Sequence, residues 1–292
     1  MPLFKRHHGD LVRGETPMRR IMPYLMPSRN GSIVLNDSVF QIQDTRIWLK
    51  AYNRAHEEHA TLFHLLAYAA AQALHERPEL NRFVSGGRVY QRRGVQVSFV
   101  VKKELKDEGQ STTVKLNVIH GEPFRVFADR LAKAIREAQD TDRAVDRETA
   151  LIMQLPGFLV RGLVALARGL DRWNLFPRFM TEPDPMFSSI FLANLGSAGI
   201  SDAYHHLYEY GTVSIFGAMS APCRMPFVED DNVVVRPGLR VRWSFDERIH
   251  DAFYSARSLN LVRRIVEAPL KHLGAPEGDP AFSVAGSRLP DR

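Results

Sequence analysis

The stretch that decides the fold is Val241–Ala252, which reads VRWSFDERIHDA. Apolar residues alternate with polar ones from Val241 to Phe245, and this period of two predicts a half-buried strand. Five charged or titratable residues then crowd into the six positions 246–251. From Ala252 onward apolar residues recur every three or four positions, which predicts a helix. The stretch therefore predicts a strand that ends at a charged corner and leads into a closing helix.

The composition is that of a soluble globular protein with a large core, since 45% of the 292 residues are hydrophobic and 25% are charged. A net charge of +6 allows attraction to phosphate groups or a membrane surface. Motifs for nucleic-acid binding are absent from the sequence, so nucleic acid is not expected as a partner. The single cysteine, Cys223, excludes an internal disulfide and a cysteine metal cluster. We predict that it is buried and that the protein is cytoplasmic.

The chain divides into an amino-terminal arm at 1–17, one domain at 18–272 and a flexible tail at 273–292. Predicted strands occupy the middle and the back half, whereas predicted helices concentrate early and late. This order predicts an α/β fold, an α+β two-layer sandwich with a mixed sheet flanked by helices. The predicted strands are 33–42, 88–92, 95–101, 112–118, 186–194, 213–219 and 239–245.

A helical insertion at about 148–180 contains the most apolar stretch of the chain, residues 151–170. Pro156, Arg161 and Arg168 interrupt it, so it falls short of the ~20 apolar residues that a membrane-spanning helix needs. We predict a buried or interfacial helix. A weaker hypothesis is that residues 151–176 dock onto a membrane or a partner protein.

Two segments carry a resemblance to a known family. Ser244–Ala252 resembles the Ser-x-Asp-His-Arg-x-x-Asp-Gly box of the dihydrolipoyl acyltransferase catalytic domain. That domain forms the core of 2-oxoacid dehydrogenase complexes and is related to chloramphenicol acetyltransferase. Ile190–Gly196 resembles the family's Phe-Thr-Ile-Ser-Asn-Leu-Gly strand and turn. Met18–Met22 and Arg77–Asn81 add support, so the resemblance covers residues 18–272.

The resemblance implies a chloramphenicol-acetyltransferase-like fold, a homotrimer, and possible assembly of trimers into a cubic core. It implies an active-site channel between subunits, with one wall from 193–196 and the other from 246–251. Coenzyme A, acyl-CoA or a carrier thiol would be the ligand, and Asn194 and Gly196 would contact it. No metal is implied. Because no lipoyl segment precedes residue 18, we expect a free-standing catalytic-type domain.

The chain departs from the family at its two chemical positions. Glu247 stands where the family has its general-base histidine, and Ala193 where it has its oxyanion-stabilising serine. Asp251 is retained, as are Asp246 and Arg248, which the resemblance implies hold the corner through ion pairs. Replacing histidine by glutamate as the base for a thiol adds about two pKa units, or about 3 kcal/mol, to proton transfer. Loss of an oxyanion donor typically removes a further ~10²–10³-fold. These departures predict a degenerate site in a structural or ligand-binding oligomer.

The alternative is a working CoA-dependent acyltransferase that uses Glu247, His250, or His205 and His206. If residues 249–251 are extended, His250 points away from the corner, so we predict a surface or interface position for it. The His205–His206 pair followed by Gly211 resembles the HHxxxDG box of other acyl transferases, although Tyr210 occupies the acidic position.

Overall fold

The computed structural model describes residues 6–102, 111–140 and 152–276. Most of the predicted tail, residues 277–292, lies outside this part of the chain. The strands are β1 Gly9–Leu11, β2 Ile33–Gln41, β3 Arg82–Ser85, β4 Arg88–Arg92, β5 Val95–Lys102, β6 Ser111–Val118, β7 Ile190–Asn194, β8 Ile215–Met219, β9 Cys223–Glu229 and β10 Asn232–Asp246. The helices are α1 Pro17–Leu25, α2 Gln43–Ala55, α3 Leu62–Glu76, α4 Phe124–Asp140, α5 Gly157–Arg172, α6 Arg178–Thr181, α7 Ala252–Glu267 and α8 Pro269–Leu273.

A mixed seven-stranded sheet forms the centre of the molecule. Its order is β2-β10-β8-β7-β5-β6, and β9 pairs with the first part of β10. The β5–β7 and β7–β8 pairs are parallel, and the other pairs are antiparallel. A separate three-stranded antiparallel sheet has the order β1-β4-β3. The prediction of a mixed sheet flanked by helices is confirmed.

Strand β10 joins three neighbours and spans 15 residues. Its first half, Asn232–Gly238, pairs with β9, and Gly238–Asp246 pairs with β2. Residues 241–245 also pair with β8 on the other side. The second half of β10, which is the strand predicted from the opening stretch, is therefore central in the sheet. This position explains why Val241, Trp243 and Phe245 are all buried.

The helices α2, α3, α4 and α7 cover one face of the sheet and share its main hydrophobic core. Helix α3 is buried over most of its length because alanines let it pack closely against its neighbours. Thr61 precedes it and forms a capping box with His64, which fixes where the helix begins. A smaller cluster on the opposite face contains Phe191, Ala193, Leu207, Val213, Phe216 and Ala218.

Two sequence predictions need correction. The amino-terminal arm contains a strand, because Gly9–Leu11 pairs with β4. Three residues give too short a pattern for detection by period. Cys223 is exposed rather than buried, because it begins β9, where side chains alternate towards solvent at the end of the sheet.

Helix α5, in the predicted insertion, has no buried residue. Phe158 is 72% exposed and Leu166 is 59% exposed. The described residues therefore do not bury the helix, and its interfacial position stays a prediction. Among the described residues, no helix is long and apolar enough to cross a membrane.

Candidate functional site

The charged corner at the end of β10 is organised by an ion pair. The Arg248 guanidinium donates from Nε to Oδ1 of Asp246 at 2.8 Å and from Nη2 to Oδ2 at 2.7 Å. Asp246 is fully buried and Arg248 is 4% exposed. Arg248 also donates to the backbone oxygen of Met26 at 3.0 Å, which connects the corner to the end of α1. The pair turns the chain away from β10 and fixes the direction of the next residues.

Glu247 sits on this turn with its backbone fixed and its side chain free. Its N–H donates to the Ser32 oxygen at 2.9 Å, and its carbonyl accepts from Arg19 at 3.5 Å. The residue is partly exposed. No hydrogen bond or ion pair joins its carboxylate to any described residue. A carboxylate in this position can bind a cation or a hydrogen-bond donor that approaches from solvent.

Asp251 has a clear structural role. Its Oδ1 accepts from the Tyr254 N–H at 2.8 Å, so Asp251 is the N-cap of α7. This arrangement satisfies one of the amides that every helix leaves open at its start. The side chain is therefore committed to the helix rather than directed at Glu247.

His250 is buried at 3% exposure, so the prediction of a surface position is wrong for the single chain. The physical reason is that the corner turns, instead of staying extended, and packs the ring against Tyr254 at 5.0 Å. The ring's Nδ1 lies 2.8 Å from the Asp251 backbone oxygen, and Nε2 has no partner among the described residues. Burial lowers the pKa of His250 below its ordinary value. Burial therefore favours the neutral imidazole, and its unpartnered Nε2 is itself buried.

The turn after β7 contains the second chemical position. Ala193 is 8% exposed and supplies only a methyl group. The Asn194 side chain accepts from the Ser197 N–H at 3.3 Å and so closes the turn. A Cβ on Gly196 would lie 2.7 Å from the Ser220 oxygen, so glycine is required for this close approach. Nothing here assigns Asn194 or Gly196 to a ligand.

Strand register separates this turn from the corner. Ala193 is level with Ala218 of β8, which is level with Arg242 of β10. Asp246 lies four residues further along β10, at the opposite end of the sheet. With ~3.3 Å per residue and ~4.8 Å between strands, the Cα atoms of Ala193 and Asp246 are roughly 16 Å apart. One protomer therefore does not bring the two predicted walls together.

The histidine pair lies on the opposite face of the sheet from the helices. The His205 ring stacks on Phe216 with centroids 4.0 Å apart, and its Nδ1 lies 2.7 Å from the His206 oxygen. Burial lowers the pKa of His205. Tyr210, which occupies the acidic position of the box, donates to Asp184 at 2.9 Å. The stacking indicates packing rather than a ligand-facing pair.

The residue pattern did not predict the groups from other segments of the chain that form hydrogen bonds with the corner. These are backbone oxygens of Met26 and Ser32 together with the Arg19 guanidinium. A backbone oxygen leaves no signal in the residue type, so only the fold could identify it. Among the described residues, no group of histidine, cysteine and acidic side chains could hold a metal ion.

Comparison with known proteins finds a family model that matches about a third of the chain, near its carboxyl-terminal end. Residues 181–273 match the family model described as 2-oxoacid dehydrogenases acyltransferase (catalytic domain). The resemblance expected from the sequence is confirmed. The matched segment includes both the turn at 193–196 and the corner at 246–251.

Solved structures of such acyltransferases share the fold over most of the chain. The cubic core of the pyruvate dehydrogenase multienzyme complex matches with a TM-score of 0.60 and 15% identity, over 90% of this chain and 94% of that one. The dihydrolipoamide acetyltransferase of Azotobacter vinelandii matches with a TM-score of 0.60 and 16% identity, over 90% and 94%. A chloramphenicol acetyltransferase matches with a TM-score of 0.52 and 15% identity, over 88% and 99%.

Proposed function

We propose that this acyltransferase-family chain is catalytically degenerate and acts as a structural or ligand-binding homotrimer. The observation that carries the proposal is the pair of residues at the family's chemical positions. Glu247 offers a carboxylate where a thiol-dependent transferase needs a stronger base, and Ala193 offers no hydroxyl to an oxyanion. A glutamate that takes the thiol proton becomes a neutral acid, so it also lacks the attraction that a protonated histidine offers to the thiolate.

The proposed trimer follows from the separation of the two walls. Because Ala193 and Asp246 lie roughly 16 Å apart in one chain, a shared channel needs the turn of one copy and the corner of another. A solved relative is the cubic core of a multienzyme complex, which makes repeated contacts between copies a reasonable expectation. We extend the proposal to possible assembly of trimers into a cubic core.

The proposed ligand is coenzyme A, an acyl-CoA or a carrier thiol, bound without transfer. In a channel between copies, Asn194 and Gly196 would contact it from one wall and Glu247 from the other. We place the protein in the cytoplasm, where a reducing environment suits the exposed thiol of Cys223.

Acyl transfer from acetyl-CoA to dihydrolipoamide tests the proposal. We expect the wild-type rate to equal the rate without protein, and acetyl-CoA binding to be measurable by calorimetry. Transfer that is abolished by Glu247→Gln would overturn the degenerate reading. Restoring the family residues in the double variant Glu247→His/Ala193→Ser should raise the rate by at least ~10²-fold, because a base and an oxyanion donor each contribute that much.

A second candidate function rests on His250. Nδ1 of His250 is engaged by the Asp251 backbone oxygen, and its buried, unpartnered Nε2 is the nitrogen that would accept a proton from a substrate that reached it. His250→Ala and His206→Ala should then be compared in the same transfer assay. Loss of activity in the first variant alone would favour an active enzyme with His250 as base, whereas two inactive variants beside an inactive wild type would exclude it.

We also propose that the outward face of α5 contacts a second copy rather than a membrane. Two of the three arginines of this helix, Arg168 and Arg172, line a cavity against the protein body. Only Arg161 is left as an exposed cation of the helix away from that cavity. A surface that binds anionic lipid would combine cations with its apolar residues.

Light scattering tests both the trimer and this contact. We expect a trimer mass for the wild type and a lower mass for Phe158→Ser/Leu166→Ser. The control is Ile119→Ser, which removes an exposed apolar side chain elsewhere. A monomeric wild type would contradict the trimer. An unchanged mass for the double variant, or liposome binding that this variant loses, would contradict the contact between copies.

A further inference from the structure

A cavity of about 350 Å³ lies between the carboxyl-terminal half of α5 and the segment that follows α1. Tyr24 and Arg29 line one side, and Arg168 and Arg172 of α5 line another. The turn at 85–87 lies beneath the end of α5, since a Cβ on Gly86 would clash with the Arg172 backbone oxygen. Arg248 of the corner lines it, whereas Glu247 and Ala193 do not, so the cavity is adjacent to the site considered above.

The lining carries more positive than negative charge. It contains Arg29, Arg168, Arg172 and Arg248 but only two carboxylates, Asp171 and Glu209. Arg6 and Asp246 lie behind this lining as one further charge of each sign, and they pair with Asp171 and Arg248. The cavity region therefore has an excess of about two positive charges.

Both carboxylates are already engaged by other groups. Asp171 forms an ion pair with Arg6 and accepts from the Ser85 hydroxyl at 2.9 Å. Glu209 accepts from the backbone N–H groups of Arg29 at 3.1 Å and of Asn30 at 3.0 Å. Arg168 and Arg172 form no hydrogen bond or ion pair with any described residue, and both are exposed. These two arginines are available to a ligand.

Arg29 provides a second and independent indication. Arg29 is 6% exposed. Its guanidinium donates hydrogen bonds to the backbone oxygens of four residues, at distances of 2.6–3.3 Å. Its Nε–H is buried and has no acceptor among the described residues. Burial lowers the pKa of the Arg29 guanidinium. Asp246, Asp171 and Glu209 are close enough to act on this guanidinium, but none of them forms an ion pair with it. A buried guanidinium without a direct ion pair is further stabilised by an anion that enters the cavity.

We propose that this cavity binds a phosphoryl dianion, with Arg168 and Arg172 as its direct ligands and Arg29 as buried positive charge behind them. A phosphoryl group carries nearly two negative charges at neutral pH on one compact centre. This charge balances the excess of about two positive charges around the cavity. The cavity volume of about 350 Å³ lies at the small end of the range for ligand sites. Arginine is suited to the role because its planar fork donates two parallel hydrogen bonds to one phosphoryl group. The inference does not depend on the proposed function.

Titration calorimetry of the full chain with inorganic phosphate tests the proposal at low ionic strength. Arg168→Gln and Arg172→Gln should each weaken binding about tenfold, since a hydrogen bond to a charged group is worth about 1.4 kcal/mol or more. Arg161→Gln is the matched control, because Arg161 is exposed on the same helix but does not line the cavity. It should change the affinity less than twofold. Thermal denaturation of each variant checks that the fold is retained.

Three results would overturn the proposal. Succinate replaces phosphate in a parallel titration, and equal affinity for the two anions would exclude a phosphoryl-specific site. Equal weakening in Arg161→Gln and the two cavity variants would indicate general attraction to a basic surface. Absence of saturable phosphate binding to the wild type would exclude the site altogether.

Discussion

Arg248 donates two parallel hydrogen bonds to Asp246, and the two side chains are 4% and 0% exposed. Removing one partner of such a pair leaves the other charge buried without compensation. Arg248→Ala should therefore lower the free energy of unfolding by about 3–5 kcal/mol, measured by chemical denaturation. Replacing both residues with leucine should lower it less than Arg248→Ala does, because no charge is then left in the core.

The exposed pair Arg178–Glu182 is the control for this prediction. Arg178→Ala removes an ion pair of similar length, 2.9 Å, in full contact with solvent. Water and salt already screen such a pair, so we expect little change in stability. A similar loss in both variants would show that burial does not determine the strength of the corner.

Asp251 caps α7 and should be replaceable by any good N-cap residue. Asp251→Ala should lower the free energy of unfolding by about 1 kcal/mol, because the Tyr254 amide loses its acceptor. Asp251→Asn should keep nearly all of the stability, since the amide oxygen accepts the same hydrogen bond. If Asp251→Asn destabilises as much as Asp251→Ala, the carboxylate charge rather than the cap is what the corner needs.

Burial of His64 makes stability depend on pH in acid. Burial lowers the pKa of His64 from 6.5 to about 4. The unfolded chain therefore binds this proton more readily, so stability is fully present above pH 6.5 and falls as the pH decreases towards 4. At 1.36 kcal/mol per unit the loss amounts to at most about 3 kcal/mol.

Chemical denaturation of wild type and His64→Gln across this pH range measures the effect. The variant should show a shallower fall in the free energy of unfolding. His59→Gln, which changes an exposed histidine just before the same helix, should follow the wild-type curve. Parallel curves for His64→Gln and wild type would assign the acid sensitivity to other groups.

Gly217 is required by its neighbours on both sides. A Cβ at this position would lie 2.6 Å from Trp243 and 2.7 Å from Leu192. Gly217→Ala should lower the free energy of unfolding by about 1–3 kcal/mol, because a packed core does not accept an added methyl group. Gly162→Ala in α5, where nothing lies within 4 Å, should instead raise it by up to about 1 kcal/mol. Chemical denaturation of both variants checks that the free energy of unfolding changes in opposite directions.

The sequence predicted most strands because burial follows a simple period within each one. Val95–Lys102 and the second half of β10 were clear for this reason. It could not predict β1, whose three residues are ordered by pairing with β4 rather than by their own pattern. Helix α5 shows a different limit. Its apolar residues predict a covered face, but only the structure shows that the described residues leave every residue of the helix at least partly exposed.

For the site, residue types identified the corner and the turn but not the distance between them. The resemblance pointed to Glu247 and Ala193. The separation of roughly 16 Å between the Cα atoms of Ala193 and Asp246 depends instead on strand register, which residue types do not encode. His250 was misplaced because the prediction assumed an extended chain after Glu247. The ion pair at Asp246 turns the backbone there, and a single turn is enough to move the ring from solvent into the core.

The pairing of β2 with β10 has a consequence for how the protein is made. Strand β2 ends at Gln41, and its partner β10 begins at Asn232, roughly 190 residues later. At ~5–20 residues per second, a ribosome needs roughly 10–40 s to make the chain between them. During that interval β2 lacks its partner β10. Nascent chains of this protein therefore present an unpaired β2 to each other throughout that interval, and an unpaired strand is a template for association between chains.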